Sequence, residues 1–333
     1  MNILQYGIGI KSTGSYLPDL IETNEELCKT LPPEITPDWI IQKTGIKSRR
    51  IAKEGITTSY MALNAAEKAI ESANISIDDV NLIVCCTHSH EYIFPALSAK
   101  IMKDLGVKNA QIFDIQANCA GFVTGLTVAS DRMFNEPDIK YALVIGVEMQ
   151  SSYRDITDFN TAIFLSDGAG AAILEKVDPL KGIQASSFHA DPSTYESVRL
   201  RGGGSSFRYN NRNFDPSIDF MEMNGLATWK QAVTNLPISI RRTCAKVNVE
   251  VSDVDFFVFH QANYQMISYI MAKSKIPMHK THTNIVEVGN TASASVAIAL
   301  DEAVNLNKIK SGHSVVLASV GAGFIFGSSI WKW

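Results

Sequence analysis

Apolar and polar positions divide the chain into short, unbroken apolar runs and longer amphipathic stretches. Residues 80–86, 141–147, 169–176, 254–259 and 314–320 are apolar runs of strand length. A sheet covered on both faces requires such runs, because neither face can carry polar side chains to water. A further short strand is predicted at 111–115. Helices are predicted over 57–73, 93–105 (entered through Pro95), 225–247, 262–273 and 291–305, and directly after Cys119. The first has Ser and Thr residues available as its N-cap. Buried strands alternating with helices specify an α/β fold. Residues 186–220 break the pattern. They are rich in Ser, Gly, Asn and Arg and read as a loop or flap over the middle of the chain, with a disordered linker as the alternative.

The pattern repeats. Asp79-Val-Asn-Leu-Ile-Val84 is echoed by Asp253-Val-Asp-Phe-Phe-Val258, 174 residues later. Asn118-Cys119-Ala120 is echoed by Asn290-Thr291-Ala292, and Leu143-Val-Ile145 by Val315-Val-Leu317, both 172 residues on. Three matches in one order at nearly constant offset imply two halves of similar fold, residues 1–176 and 177–333.

The 333 residues are 46% hydrophobic and 19% charged, enough for a sizeable core without disulfides. The formal net charge of −4 argues against a general nucleic-acid binder. Five cysteines with no Cys-x-x-Cys spacing suggest neither a disulfide framework nor a zinc site. No signal-peptide pattern opens the chain, and no apolar run is long enough to span a membrane. A cytoplasmic protein is expected.

Candidate chemistry centres on Cys119, placed where a strand should end and a helix begin. A helix N-terminus lowers a thiol pKa, and the thiolate is the nucleophile. Cys28, Cys85, Cys86 and Cys244 read as ordinary buried cysteines. His260 ends the apolar run Phe256–Phe259, where α/β sheets meet ligands, although a structural histidine would also suit that place. Asn263 lies three residues on. Asn290, between Gly289 and Thr291, reads on its own as a helix cap. In Gly321-Ala-Gly323-Phe324, the Gly323 N–H is a candidate oxyanion donor, with a simple turn as the plain reading. Ser166-Asp167-Gly168 reads as a tight connection. His88-Ser-His90-Glu91 reads as solvated side chains rather than a metal site. Cysteine with a distant His and Asn is the pattern of covalent acyl chemistry.

Together these strings resemble the β-ketoacyl-acyl-carrier-protein synthase III family of thiolase-fold condensing enzymes, nearly end to end. Trp39-Ile-Ile-Gln-Lys-Thr-Gly-Ile-Lys-Ser-Arg-Arg-Ile51 is similar to its N-terminal signature, and Asn118-Cys119-Ala-Gly-Phe122 to its nucleophile segment. Leu165-Ser-Asp-Gly-Ala-Gly170, His260-Gln-Ala-Asn263, Gly289-Asn-Thr-Ala-Ser-Ala-Ser295 and Gly321-Ala-Gly-Phe324 are similar to its later motifs. The resemblance implies a five-layer αβαβα sandwich of two duplicated halves, a homodimer, and a role in lipid or fatty-acid biosynthesis. It implies that Cys119 takes an acyl group from acyl-CoA or an acyl-carrier protein, and that the N–H groups of Cys119 and Gly323 hold the oxyanion. His260 and Asn290 stabilise the enolate formed when a malonyl thioester loses CO2, and Claisen condensation follows. No cofactor or metal is implied.

The same comparison assigns substrate contacts to Trp39, Lys43, Phe159, Leu226, Lys230 and Asn263, and has Phe94 reach into a partner's acyl pocket. Lys43 and Phe159 stand where the housekeeping enzymes carry Arg, Leu226 where they carry Asn, and Gln265 where they carry a docking Arg. Lys for Arg loses planar stacking and bidentate binding. The resemblance therefore points to a specialised member. Two alternatives remain. One is acyl transfer from Cys119 to an oxygen or nitrogen acceptor. The other is a non-catalytic partner of another condensing enzyme.

Overall fold

The computed structural model describes residues 6–206 and 215–333. In chain order the strands are β1 (Gly7–Tyr16), β2 (Leu20–Thr23), β3 (Ser48–Ile51), β4 (Val80–Cys86), β5 (Gln111–Ile115), β6 (Tyr141–Met149), β7 (Asp167–Val177), β8 (Gly182–Ala190), β9 (Val198–Leu200), β10 (Met221–Met223), β11 (Phe256–Phe259), β12 (Ser314–Gly321) and β13 (Ile325–Lys332). The helices are α1 (Asn24–Leu27), α2 (Pro37–Thr44), α3 (Thr58–Ala73), α4 (Leu97–Leu105), α5 (Gly121–Asn135), α6 (Phe159–Ala162), α7 (Gly225–Ala245), α8 (Tyr264–Lys273), α9 (Ile285–Val288) and α10 (Ala294–Asn305).

Two sheets carry the fold. The first has the order β1-β7-β6-β4-β5, and the second β11-β12-β13-β8. In the first sheet β5, β4 and β6 run parallel to one another, and the pairs β6–β7 and β7–β1 are antiparallel. In the second, β11 and β12 are parallel, and the pairs β12–β13 and β13–β8 are antiparallel. An isolated parallel bridge, Phe257 to Thr281, marks the place in the second sheet that β5 fills in the first.

Strand alternation assigns the layers. Leu82, Val84 and Cys86 of β4 face inward with Phe256 and Val258 of β11, onto one core shared with Phe122 and Leu126 of α5 and Val296 and Leu300 of α10. Ile83 and Cys85 face the other way, onto the Ala-rich stripe of α3 and onto Leu97 and Ile101 of α4. Phe257 and Phe259 likewise face α7 and α8. The order is therefore α3/α4, first sheet, α5/α10, second sheet, α7/α8, a five-layer stack. α10 lies close on the first sheet because Gly170 is there: a Cβ on it would sit 2.5 Å from that of Ala297.

The repeat is clearest at the entries to the two central helices. Asn118 before α5 and Ala292 before α10 both have positive φ, 48° and 43°. They are 174 residues apart, like Asp79 and Asp253. The structural counterpart of Asn118 is thus Ala292 rather than Asn290, and that of Cys119 is Ser293.

Several expectations are corrected. The segment expected to be irregular starts inside β8, which closes the second sheet against β13. Beyond it, β9 and β10 form a small antiparallel pair. Residues 207–214 of that segment lie outside the described residues. α8 starts at Tyr264 because Asn263 is its N-cap, and α10 starts at Ala294, after the kink at Ala292.

Candidate active site

The entries to the two central helices and the end of β11 deliver the reactive groups to one place. Cys119 lies in a tight turn, Asn118–Ala120, immediately before α5. The turn is tied to the other half: Asn118 Nδ2 donates to the Ala322 carbonyl at 3.0 Å, and Ser319 Oγ donates to the Cys119 carbonyl at 2.5 Å. The β12–β13 connection carrying Gly323 is thereby held beside the nucleophile turn. Gly323 has φ of 127°, a conformation that favours glycine.

His260 follows β11, and Asn290 precedes α10. Cys119, His260, Asn290, Asn263 and Gly323 all line one cavity of about 890 Å3. The rest of its wall includes Gln116, Gln150 and Tyr153 from the first half, and Leu200, Met221 and Trp229 from the second.

Each candidate donor is anchored by its other heteroatom. Asn290 Oδ1 accepts from the Ala292 N–H at 2.8 Å, which leaves Nδ2 free to donate. The bond stays within the loop, and α10 receives no side-chain cap, so Asn290 is not the cap of that helix. His260 Nδ1 lies 2.6 Å from Ser295 Oγ, which leaves Nε2 free. Burial pushes the imidazole pKa down to about 3, so the ring is neutral. It is thus an N–H donor without net charge.

The thiol departs from expectation. Burial first and the Glu148 carboxylate second push the Cys119 thiol up to about 12, outweighing the lowering by its own backbone N–H. The short turn at the helix start does not offset desolvation, and the resting group is a thiol.

Glu148 is itself fully buried. It accepts from Ser89 Oγ and Ser293 Oγ, both at 2.7 Å, and from the His88 backbone N–H at 3.2 Å. His88 Nδ1 lies 3.0 Å from it but off line for a hydrogen bond. Burial lowers the His88 pKa, yet the charge and proximity of Glu148 raise it overall. His90 Nε2 lies 3.4 Å from Asp114. The two histidines expected to be solvated are therefore packed against carboxylates. Ser166 and Asp167 also do more than turn the chain. Ser166 Oγ donates to the Val288 carbonyl at 2.5 Å, and Asp167 accepts from the Ala52 and Ser151 N–H groups at 2.7 and 2.8 Å.

Most of the expected substrate contacts lie outside this cavity. Trp39 and Phe159 pack edge to face at 5.9 Å, with Lys43 Nζ 6.0 Å from the Trp39 ring. Leu226 and Lys230 line a separate cavity of about 390 Å3 with Asp191, Asn224 and Gln231. Phe94 is 83% exposed, and its neighbour Ile93 reaches the cavity wall instead. Asn263 does line the cavity, but its Oδ1 caps α8, and its Nδ2 donates to the Lys43 carbonyl at 3.2 Å. The sequence reading passed over Glu148, Gln150 and Ser295. A charge ending the apolar run of β6 and a serine inside the apolar helix α10 were the available signals.

A duplicated α/β stack with Cys, His and Asn lining one cavity at its centre defines a thiolase-like condensing enzyme. Residues 113–192 match the family described as 3-oxoacyl-[acyl-carrier-protein (ACP)] synthase III, and residues 244–333 match its C-terminal part. Beta-ketoacyl-[acyl-carrier-protein] synthase III of Bordetella petrii is 37% identical over 322 residues, 96% of each chain. The Wolbachia pipientis protein of the same name is 38% identical over 324 residues, 97% of this chain and 98% of that one. The crystal structure of 3-oxoacyl-[acyl-carrier-protein] synthase III from Aquifex aeolicus superposes with TM-score 0.89 at 32% identity, covering 98% of this chain and all of that one. The priming β-ketosynthase of the R1128 polyketide pathway superposes with TM-score 0.90 at 29% identity, covering 98% and 96%. The chain belongs to the β-ketoacyl-acyl-carrier-protein synthase III family. It is an acyl-thioester condensing enzyme that joins an acyl group to a malonyl thioester and forms a β-ketoacyl thioester.

Proposed function

We propose that Cys119 is the acyl carrier and that His260 and Asn290 are the enolate-stabilising donors. The Cys119 sulfur attacks the carbonyl of an acyl thioester. The acyl group moves to sulfur, and the departing thiolate takes up the proton lost by Cys119. The backbone N–H groups of Cys119 and Gly323 hold the oxyanion. A malonyl thioester then loses CO2. Nε2–H of His260 and Nδ2–H of Asn290 donate to its carbonyl oxygen as the enolate forms. The carbanion attacks the acyl-Cys carbonyl, the C–S bond breaks, and the released Cys119 thiolate takes a proton from water. No metal or other cofactor enters.

The observation that carries this reading is the pairing of two neutral donors in the cavity that holds Cys119, each with its second heteroatom occupied. Charge develops on oxygen in this reaction, and preorganised neutral donors stabilise it without reorganising. The acyl donor is a CoA or acyl-carrier thioester. The altered residues Lys43, Phe159 and Leu226 support a specialised pathway, and the exposed Phe94 supports a homodimer. Among the described residues no helix is long and apolar enough to cross a membrane. We place the enzyme in the cytoplasm.

Intact-protein mass spectrometry after incubation with acyl-CoAs and acyl-carrier thioesters tests the loading step. One adduct, absent in Cys119→Ala, is expected. An adduct that persists in that variant would overturn the assignment. Stoichiometric CO2 release with product separates condensation from transfer to an oxygen or nitrogen acceptor, which yields an ester or amide and no CO2.

A further inference from the structure

We infer that Ser295 is a positioning residue that fixes His260 as the Nε2–H tautomer by donating its hydroxyl proton to Nδ1. The inference rests on the reading that His260 donates to the enolate oxygen, and it names the group that makes this possible.

A neutral imidazole has one N–H to place, and its neighbours decide where. Ser295 Oγ, in the first turn of α10, lies 2.6 Å from His260 Nδ1. The same oxygen accepts the Gln261 backbone N–H at 3.2 Å. Ser295 is 1% exposed, so water does not reach it. A hydroxyl has one proton to give and two lone pairs to accept with.

If Nδ1 carried the proton, Ser295 Oγ would accept from both Nδ1 and Gln261. Its own proton would then have no partner among the described residues, in a dry site. If Nδ1 is bare, the Ser295 hydroxyl donates to it, the Gln261 N–H donates to the hydroxyl, and every group is satisfied. The proton of the ring then sits on Nε2, on the side of the cavity. Among the described residues no carboxylate contacts the His260 ring, so a hydroxyl does here what an acidic partner does for many catalytic histidines, without adding a charge that would protonate the ring.

The test uses the full-length enzyme with 15N-labelled histidine. Resonances of His260 are those lost in His260→Ala. A bare Nδ1 and a protonated Nε2 are expected in the unmodified enzyme. In Ser295→Ala the Nδ1–H form should appear. Decarboxylation of a malonyl thioester should fall about 10–10²-fold, short of the loss from deleting an oxyanion donor outright. Self-acylation of Cys119 should stay within about twofold, since it uses the backbone donors. Ser295→Thr, which keeps the hydroxyl, should restore both the spectrum and the rate.

A protonated Nδ1 in the unmodified enzyme would overturn the proposal, even if Ser295→Ala does not fold. So would a Ser295→Ala enzyme that keeps the Nε2–H signal and full decarboxylation. Undiminished decarboxylation in His260→Ala would instead remove the catalytic reading on which the proposal rests, while the tautomer remains measurable by itself.

Discussion

The side-chain amide of Gln150 donates to the backbone carbonyl of Asn290 at 2.5 Å, so a residue of the first half holds a candidate donor of the second. The same carbonyl accepts the Ser166 N–H at 3.0 Å, and the Asn290 N–H donates to the Phe164 carbonyl at 2.9 Å. Three bonds thus fix the Asn290 backbone, and its Oδ1 is held by Ala292. Gln150→Leu removes one of them while keeping most of the side-chain volume. A lost buried hydrogen bond costs about 1 kcal/mol, so the variant should fold. Decarboxylation of a malonyl thioester should drop roughly fivefold, the rate equivalent of that energy. Acylation of Cys119 by a short acyl-CoA should not change. Equal losses in both half-reactions would show that Gln150 shapes the cavity rather than Asn290.

Cys119 and His260 make opposite pH predictions. Cys119 is raised to about 12 by burial, above its ordinary value. Its contribution to stability is complete below the unfolded thiol pKa of about 8.5 and is lost as pH rises towards 12. Alkylation of the free enzyme by iodoacetamide should therefore be slow at neutral pH and still climbing at pH 10. A plateau near pH 7 or 8 would show a preformed thiolate. His260 is lowered to about 3, also by burial. Its contribution is complete above the unfolded imidazole pKa of about 6.5 and is lost as pH falls towards 3. Decarboxylation measured down the acid limb should hold its rate well below pH 6, as far as the fold permits.

Removing either donor should separate the half-reactions. His260→Ala and Asn290→Ala should each lower decarboxylation roughly 10²–10³-fold, the usual loss for an oxyanion donor. Both should still form the Cys119 adduct, because acylation draws on the N–H groups of Cys119 and Gly323. Single-turnover assays of adduct formation and of CO2 release make the comparison directly. Normal CO2 release from either variant would exclude that residue from the enolate site.

Continuous apolar runs made β4, β6, β7, β11 and β12 legible, because strands covered on both faces cannot hide their composition. The motifs around Cys119, His260, Asn290 and Gly323 were legible for the same reason that makes them chemical: each follows a strand end or opens a helix. β1 was missed because it is built of small and polar residues. A Cβ on its Gly14 would lie 2.5 Å from the Ala69 backbone nitrogen of α3, so close packing there replaces hydrophobic bulk. The state of the Cys119 thiol was misjudged because burial depends on what packs over the turn, which local sequence does not state. The role of Ser295, marked only as a serine in an apolar helix, was not legible for a related reason: its partner His260 is 35 residues away, and only the fold brings them to 2.6 Å.

Tyr92, Ile93 and Phe94 are 64%, 72% and 83% exposed on the β4–α4 connection, a run of apolar side chains that a lone subunit leaves in water. Each large side chain is worth roughly 1.5–3 kcal/mol when fully buried, so a second copy that covers them gains appreciably. Ile93 also lines the Cys119 cavity, which makes this loop part of both the proposed interface and the site. Phe94→Asp places a charge where burial is proposed, and an unpaired buried charge is strongly disfavoured. Sedimentation velocity should show a shift from dimer to monomer at micromolar concentration. Melting of the monomer should change little at the cores, since Phe94 contributes to none of them. Acylation of Cys119 should fall with the dimer fraction and recover as protein concentration rises. Unchanged sedimentation with unchanged acylation would show that the loop faces solvent in the working enzyme.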